Sequence, residues 1–261
     1  MKTRSTRSLL SLALVLSTAG GSAAAQDWRT ASRAPVGLAP DPATTPEPVV
    51  QVYAARAVRW RGYLGVHTWI AVKSSNAPAF TVYEVSGWRL RRNGTSVLRS
   101  ERPADGRWFG NVPELLADLR GDSVDAVIER IEAVANDYPY SGEYRLWPGP
   151  NSNTFTAYVL RNIPELRVDL PATAIGKDYL GMRLLAGTPS GTGFQLSVFG
   201  LLGILAGIEE GLEVNVLGLT FGVDPLDWSL KLPLAGRVNL WWVLLLGPVI
   251  AWRVKRARPQ S

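Results

Sequence analysis

Two stretches decide how this chain is read: Gly65-Val-His-Thr-Trp-Ile-Ala-Val-Lys73 and Trp147-Pro-Gly-Pro-Asn-Ser-Asn-Thr-Phe155. The first is rich in β-branched and aromatic residues and reads as a β-strand. It carries His67, the only histidine of the 261 residues. The second places Asn151-Ser152-Asn153 where a helix begins, because Asn and Ser side chains accept hydrogen bonds from the unpaired N–H groups of a first helical turn. That helix continues through Phe155, Tyr158, Val159 and Ile163 and stops at Pro164. No other pair of segments offers a comparable starting point for chemistry.

Working outward, residues 49–54 and 80–90 read as strands flanking the histidine strand, with the turn Ser74-Ser-Asn-Ala-Pro78 between the second and third. Together they suggest part of an antiparallel meander. A helix is expected over residues 112–119, with Asn111 as cap, Pro113 in its first turn and Gly121 ending it. Another is expected over 122–136, where Val124, Val127, Ile128, Ile131, Val134 and Ala135 recur at helical spacing. The fold class is therefore α+β, with the core domain over residues 49–185.

The flanking regions differ in composition. Residues 1–25 have the charge and apolar pattern of a signal peptide, with Lys2, Arg4 and Arg7, an apolar run, and Ala23-Ala-Ala25 as cleavage site. Residues 26–48 are proline-rich and read as a linker or strap. Residues 186–237 read as a β-rich apolar appendage, with a hairpin turn at Glu209-Glu-Gly211. Residues 238–261 read as a short apolar helix with a basic tail. A helix over 240–252 would span roughly 20 Å, short of the roughly 30 Å hydrocarbon core. Its terminal tryptophans and Arg253, Lys255, Arg256 and Arg258 point to a membrane surface as partner, with the helix lying in the interface.

The net charge of +6 sits mostly at the two ends of the chain, so the basic balance does not indicate a nucleic-acid surface. One histidine and no cysteine leave no basis for a metal site, a disulfide or a thiol nucleophile, and no cofactor is expected. The signal pattern implies export to the periplasm or cell envelope. Gly187-Thr-Pro-Ser-Gly191 has neither the glycine spacing of a nucleophile elbow nor the ending of a phosphate loop. Lys177-Asp178 reads as a solvated turn or a fixed ion pair near the site.

The segments Trp28-Arg-Thr-Ala-Ser32, Gly37-Leu-Ala-Pro-Asp-Pro42, His67-Thr-Trp-Ile-Ala-Val-Lys73, Trp147 to Phe155 and Ala174-Ile-Gly-Lys-Asp-Tyr-Leu180 resemble a bacterial family catalogued as domain of unknown function 3750. That resemblance implies no activity. In element order the chain is also similar to circularly permuted papain-like proteins of the NlpC and lecithin-retinol acyltransferase type. The similarity implies a histidine strand (His67), a second polar strand (Glu84) and a later helix opening on the nucleophile. Ser152 stands where those proteins have cysteine.

Two functional expectations follow. One is a hydrolase or acyltransferase acting on an amide or ester, with His67 as general base, Ser152 as nucleophile and Glu84 as orienting group. Asn151, Asn153 and Trp69 would then help to bind a small-molecule, lipid or peptide substrate. The alternative is a non-catalytic binding or envelope-associated protein with a degenerate cleft. In that reading Ser152 only caps its helix, His67 is satisfied within the sheet, and Glu84, alternating with Tyr83 and Val85, faces solvent.

Overall fold

The computed structural model describes residues 29–241 and has an α+β architecture containing two antiparallel sheets. The first comprises β1 (Val49–Arg56), β2 (Val66–Lys73), β3 (Thr81–Val85), β4 (Val97–Glu101) and β5 (Glu114–Arg120), in the spatial order β4-β3-β2-β1-β5. A short helix, α1 (Gly87–Asn93), separates β3 from β4. β1 and β2 are central and covered on both faces, which is why their sequences are almost continuously apolar.

The period of two sorts the residues of this sheet into two cores. Val50, Val52, Ile70, Val72, Tyr83 and Val85 face α2 (Val124–Asn136) and α3 (Ser152–Asn162). On α2 the buried residues Val124, Val127, Ile128, Ile131 and Ala135 follow helical spacing, and each larger side chain contributes about 1.5–3 kcal/mol by leaving water. The other face presents Val49, Tyr53, Trp69, Ala71 and Val82 to Ala104 and Trp108 of the loop before β5. The proline-rich segment is tied to this second face: Asp105 Oδ2 accepts the backbone N–H groups of Val36, Leu38 and Ala39 at 3.1, 2.7 and 3.3 Å. Prolines lack an N–H, so the remaining donors of such a strap must find acceptors, and a buried carboxylate meets three of them at once.

The second sheet is a seven-stranded meander of β6 (Leu185–Gly187), β7 (Gly193–Val198), β8 (Leu202–Gly207), β9 (Gly211–Val216), β10 (Leu219–Asp224), β11 (Ser229–Leu232) and β12 (Gly236–Asn239). Its alternation is inverted. Gln195, Ser197, Glu213, Asn215, Thr220 and Lys231 are buried, while Phe194, Leu196, Ile204, Val214 and Phe221 are exposed.

Three local expectations are corrected. Residues 114–120 form β5 rather than a helix, because pairing with the open edge of β1 satisfies their backbone, with a register shift at Val52/Tyr53. Tertiary pairing there overrides the Asn111, Pro113 and Gly121 punctuation. The strand expected to reach Leu90 ends at Val85, and Gly94 at φ 72° closes the helix that follows. Residues 238 and 239 belong to β12 rather than to a terminal helix. The signal peptide and nearly all of the proposed C-terminal helix lie outside the described residues. Among those described, no helix is long and apolar enough to cross a membrane.

Candidate functional site

His67 lies on β2, Glu84 on the neighbouring β3, and Arg102 directly follows β4 on the far side of β3, so three charged or titratable groups converge on one face of the first sheet. His67 Nε2 lies 2.7 Å from Glu84 Oε2. Arg102 Nη2 donates to the same oxygen at 3.5 Å, while its Nε is 3.4 Å from Oε1, within ion-pair range but without a hydrogen bond. The imidazole stacks on Trp108, with ring centroids 3.7 Å apart and planes within 7°. Arg33 of the strap covers Phe109 at 3.6 Å and Trp108 at 5.1 Å.

Burial pushes His67 below its usual pKa, and Arg102 and Arg33 add to that effect against the opposing pull of Glu84. Burial also works against ionisation of Glu84, but the hydrogen bond from His67 and the Arg102 charge prevail and hold the carboxyl below its usual range. The stable arrangement near neutrality is therefore a neutral imidazole donating Nε2–H to an ionised carboxylate. Glu84 is thus buried and paired, not solvent-facing.

Ser152 is not part of this cluster. Along β2, Thr68 points opposite to His67, and it is Thr68 that meets α3: its Oγ1 lies 3.0 Å from Asn153 Oδ1 and 2.9 Å from Thr156 Oγ1. His67 and the start of α3 are accordingly on opposite faces of the sheet. No hydroxyl is hydrogen-bonded to the imidazole among the described residues. The expected His67–Ser152 contact is absent, for the simple reason that adjacent strand positions face opposite ways.

The helix entrance is a closed hydrogen-bond network. Asn151, not Ser152, is the N-cap: its Oδ1 accepts from the N–H groups of Asn153 and Thr154 at 2.9 and 3.2 Å, and Thr154 Oγ1 accepts from Asn151 N at 3.1 Å, completing a capping box. Asn151 Nδ2 donates to the carbonyls of Leu146 and Ile175, and Asn153 Nδ2 to those of Val66 and Ile175. Gly176, at φ 96°, is required here because a Cβ would sit 2.4 Å from Asn151 Nδ2. Trp69 is fully buried, stacked on Tyr53 and donating to the Ala104 carbonyl at 2.8 Å. Asn151, Asn153 and Trp69 therefore have their polar groups committed inside the protein.

A second polar cluster joins the two sheets. Lys177 and Asp178 are both buried rather than solvated. Lys177 pairs with Glu213, which also receives Lys231 Nζ at 2.8 Å; Lys231 in turn reaches Asp169 at 2.7 Å and the Glu210 carbonyl at 2.6 Å. Asp178 accepts from Gln195, Asn215 and Thr220 at 2.8, 2.6 and 3.3 Å. Burial alone would lower the Lys177 pKa, but the charges of Glu213, Asp178 and Asp169 outweigh it and raise the value. Half-buried Arg161 is lowered by desolvation to about 10, against the opposing charges of Asp178 and Glu210, and donates to the Lys177 carbonyl and to Gln195. The signal that could have exposed this cluster is the polar member of each alternating pair in β7, β9 and β10, masked by the glycines and apolar partners around it.

Beside this cluster a cleft of about 510 Å³ opens where the ends of β1, β2 and β5 approach the β11–β12 hairpin. Arg56, Glu114, Asp169 and Arg237 put both signs of charge on its walls. Arg237 is itself paired with Asp169, Asp224 and Asp227.

Among known proteins, the family model described as protein of unknown function (DUF3750) matches residues 47–179, half of the chain. No curated protein and no solved structure matches.

Proposed function

We propose that this chain, which belongs to the DUF3750 family, is a non-catalytic binding protein of the cell envelope. The observation that carries the reading is the sheet between His67 and Ser152: Thr68 meets the helix while His67 stacks beneath Trp108. A serine hydroxyl has a high pKa, and acyl transfer from it needs a base in hydrogen-bond contact. Here the imidazole is buried, aromatic-packed and already donating to Glu84.

The order of histidine strand, glutamate strand and later Asn-Ser-Asn helix matches that expected of permuted papain-like proteins, but with His67 and the start of α3 on opposite faces of the sheet the resemblance ends at element order. The mixed-charge cleft at the junction of the sheets supports binding of a polar small molecule or peptide segment. The signal-like first 25 residues and the Trp-rich, basic C-terminal segment support an exported, membrane-associated location.

The test is labelling of the folded protein with a fluorophosphonate probe. The expected result is none, with Ser152→Ala and His67→Ala indistinguishable from the parent. Labelling of the parent that both substitutions abolish overturns the proposal in favour of a serine hydrolase.

A further inference from the structure

We propose that the outward face of the seven-stranded sheet is a lipid-binding surface, on which the protein lies with the sheet parallel to the membrane. The register places apolar residues opposite one another across the whole sheet. One rung runs Leu185, Leu196, Ile204, Val214, Phe221 through β6 to β10. Another runs Ala206, Leu212, Val223, Leu230, Val238 through β8 to β12. No charged side chain interrupts either rung. Phe194 is 53% exposed, Ile204 46%, Val214 43% and Phe221 46%. The hairpin tips continue the pattern, with Phe199, Leu217 and Leu234 exposed at one end and Ile208, Leu226 and Trp228 at the other. Such tips ordinarily carry polar turn residues.

The opposite face explains why this apolar side cannot turn inward. It holds the Lys177–Glu213–Lys231–Asp169 pairs and the Asp178 hydrogen bonds, so reversing the sheet would leave Lys177, Asp169 and Asp178 facing apolar side chains without their partners. Six interstrand spacings give a face roughly 29 Å wide, and the six-residue strands β7 to β10 make it roughly 20 Å tall at its centre, beyond the scattered exposed leucines normal for a soluble surface.

Two observations select a lipid occupant. A protein partner would be met by a polar rim and about one hydrogen bond per 100–200 Å², whereas the outward rungs offer no side-chain donor or acceptor. The strands β7 to β11 are paired with neighbours on both sides, as an apolar phase requires, and open edges are confined to β6 and β12. The chain also leaves the sheet at β12 through Trp241, whose ring lies 5.7 Å from that of Trp228, and continues into apolar residues followed by Arg253, Lys255, Arg256 and Arg258. That tail supplies cations for anionic head groups. A single segment would not cover such a face, since even as a helix it would be only about 10 Å across.

The chain has no cysteine, so single-cysteine reporters can be placed at will. The full chain carrying Val214→Cys or Arg99→Cys, each labelled with an environment-sensitive NBD dye, would be mixed with vesicles of phosphatidylcholine and phosphatidylglycerol. The dye at 214 should shift to the blue and be quenched by doxyl-labelled lipid, and the dye at 99, on the other sheet, should do neither. In flotation, Val214→Glu and Ile204→Glu should each lower the vesicle-bound fraction about tenfold or more, with circular dichroism and unfolding midpoint unchanged. Flotation that survives both substitutions, with no quenching at 214, assigns membrane binding to the tail and overturns the proposal. A blue shift at 214 without vesicles, together with a dimer in sedimentation, overturns it in favour of a second copy of the chain.

Discussion

The two sheets solve opposite problems with the same period-two alternation. The first buries apolar residues on both faces and admits buried charge at the His67–Glu84–Arg102 cluster and at Lys73, the end of β2. The second buries its polar rows and leaves its apolar rows outside. Burial is therefore not a proxy for hydrophobicity in this molecule. The first sheet is held by dispersion and water exclusion, which degrade gradually when a methyl group is removed. The second is held to the core by ion pairs whose partners have no water to fall back on, so it should fail abruptly when one is removed.

The sharpest way to break that contrast is Glu213→Ala. It leaves Lys177 and Lys231 buried with their shared carboxylate gone, and urea unfolding should register a loss of about 3–5 kcal/mol. The matched change in the first sheet, Ile70→Val, should cost only about 0.5–1.5 kcal/mol. If the two losses are equal, the ion-pair network is more hydrated than its burial implies and the contrast collapses.

Asn151→Ala comes next. The substitution removes the capping acceptor of α3 and two donated bonds to backbone carbonyls, one of them on the Ile175 loop that leads to Lys177. A loss of about 2 kcal/mol is expected in the same denaturant experiment. Because the cap also anchors the segment running to the second sheet, hydrogen exchange should rise at residues 174–180 as well as in the first turn of α3. Protection lost from the helix alone would separate the two regions energetically.

How much of this was open to sequence reasoning depends on whether the signal was local. α2 and α3 were legible because helical spacing and caps lie within a dozen residues, and β1 and β2 because buried strands concentrate β-branched residues. β5 was not, since its conformation is set by pairing with β1, 60 or more residues earlier. The family was readable from segments such as His67 to Lys73 and Trp147 to Phe155, within the matched range. His67 and Glu84 could be nominated but not paired, because nothing local says that β3 lies beside β2 with both side chains on one face. Arg33, Arg102 and Trp108 were invisible as members of the cluster because they come from a strap and a loop. Lys177 and Asp178 could be offered as a solvated turn or a fixed ion pair but not given their partners, for the same reason: Glu213 and Asn215 lie more than 30 residues away.

Mild acid provides a graded test of the first sheet, which holds the chain's single histidine. The folded pKa of His67 is depressed, so below about pH 6.5 the unfolded chain takes up a proton that the native state refuses. More protons bound by the unfolded state means stability that falls as pH falls, by up to about 1.4 kcal/mol per unit below that point. Glu84, also depressed, contributes stability present above its unfolded pKa of about 4.3 and lost as pH drops through its folded value. His67→Gln keeps a donor for Glu84 but cannot titrate, so it should flatten the stability profile between about pH 6.5 and 5 while leaving the steeper acid limb. A wild-type profile already flat in that window would mean that the imidazole is not buried under Trp108.

Ser152→Ala should be the smallest effect of all. Ser152 is the first residue of α3, but the capping is done by Asn151 and Thr154, and the Ser152 hydroxyl has no hydrogen-bond partner among the described residues. Its carbonyl, which lies 3.4 Å from Thr68 Oγ1, is kept by alanine. Removing one hydroxyl that bonds nothing, at a position where alanine is a good helix former, should change stability by less than about 0.5 kcal/mol. The small value is informative because two other roles for this residue predict more. A cap would cost about 1 kcal/mol on truncation, and a nucleophile would leave stability alone but abolish probe labelling. A near-zero shift with no change in labelling leaves Ser152 as neither.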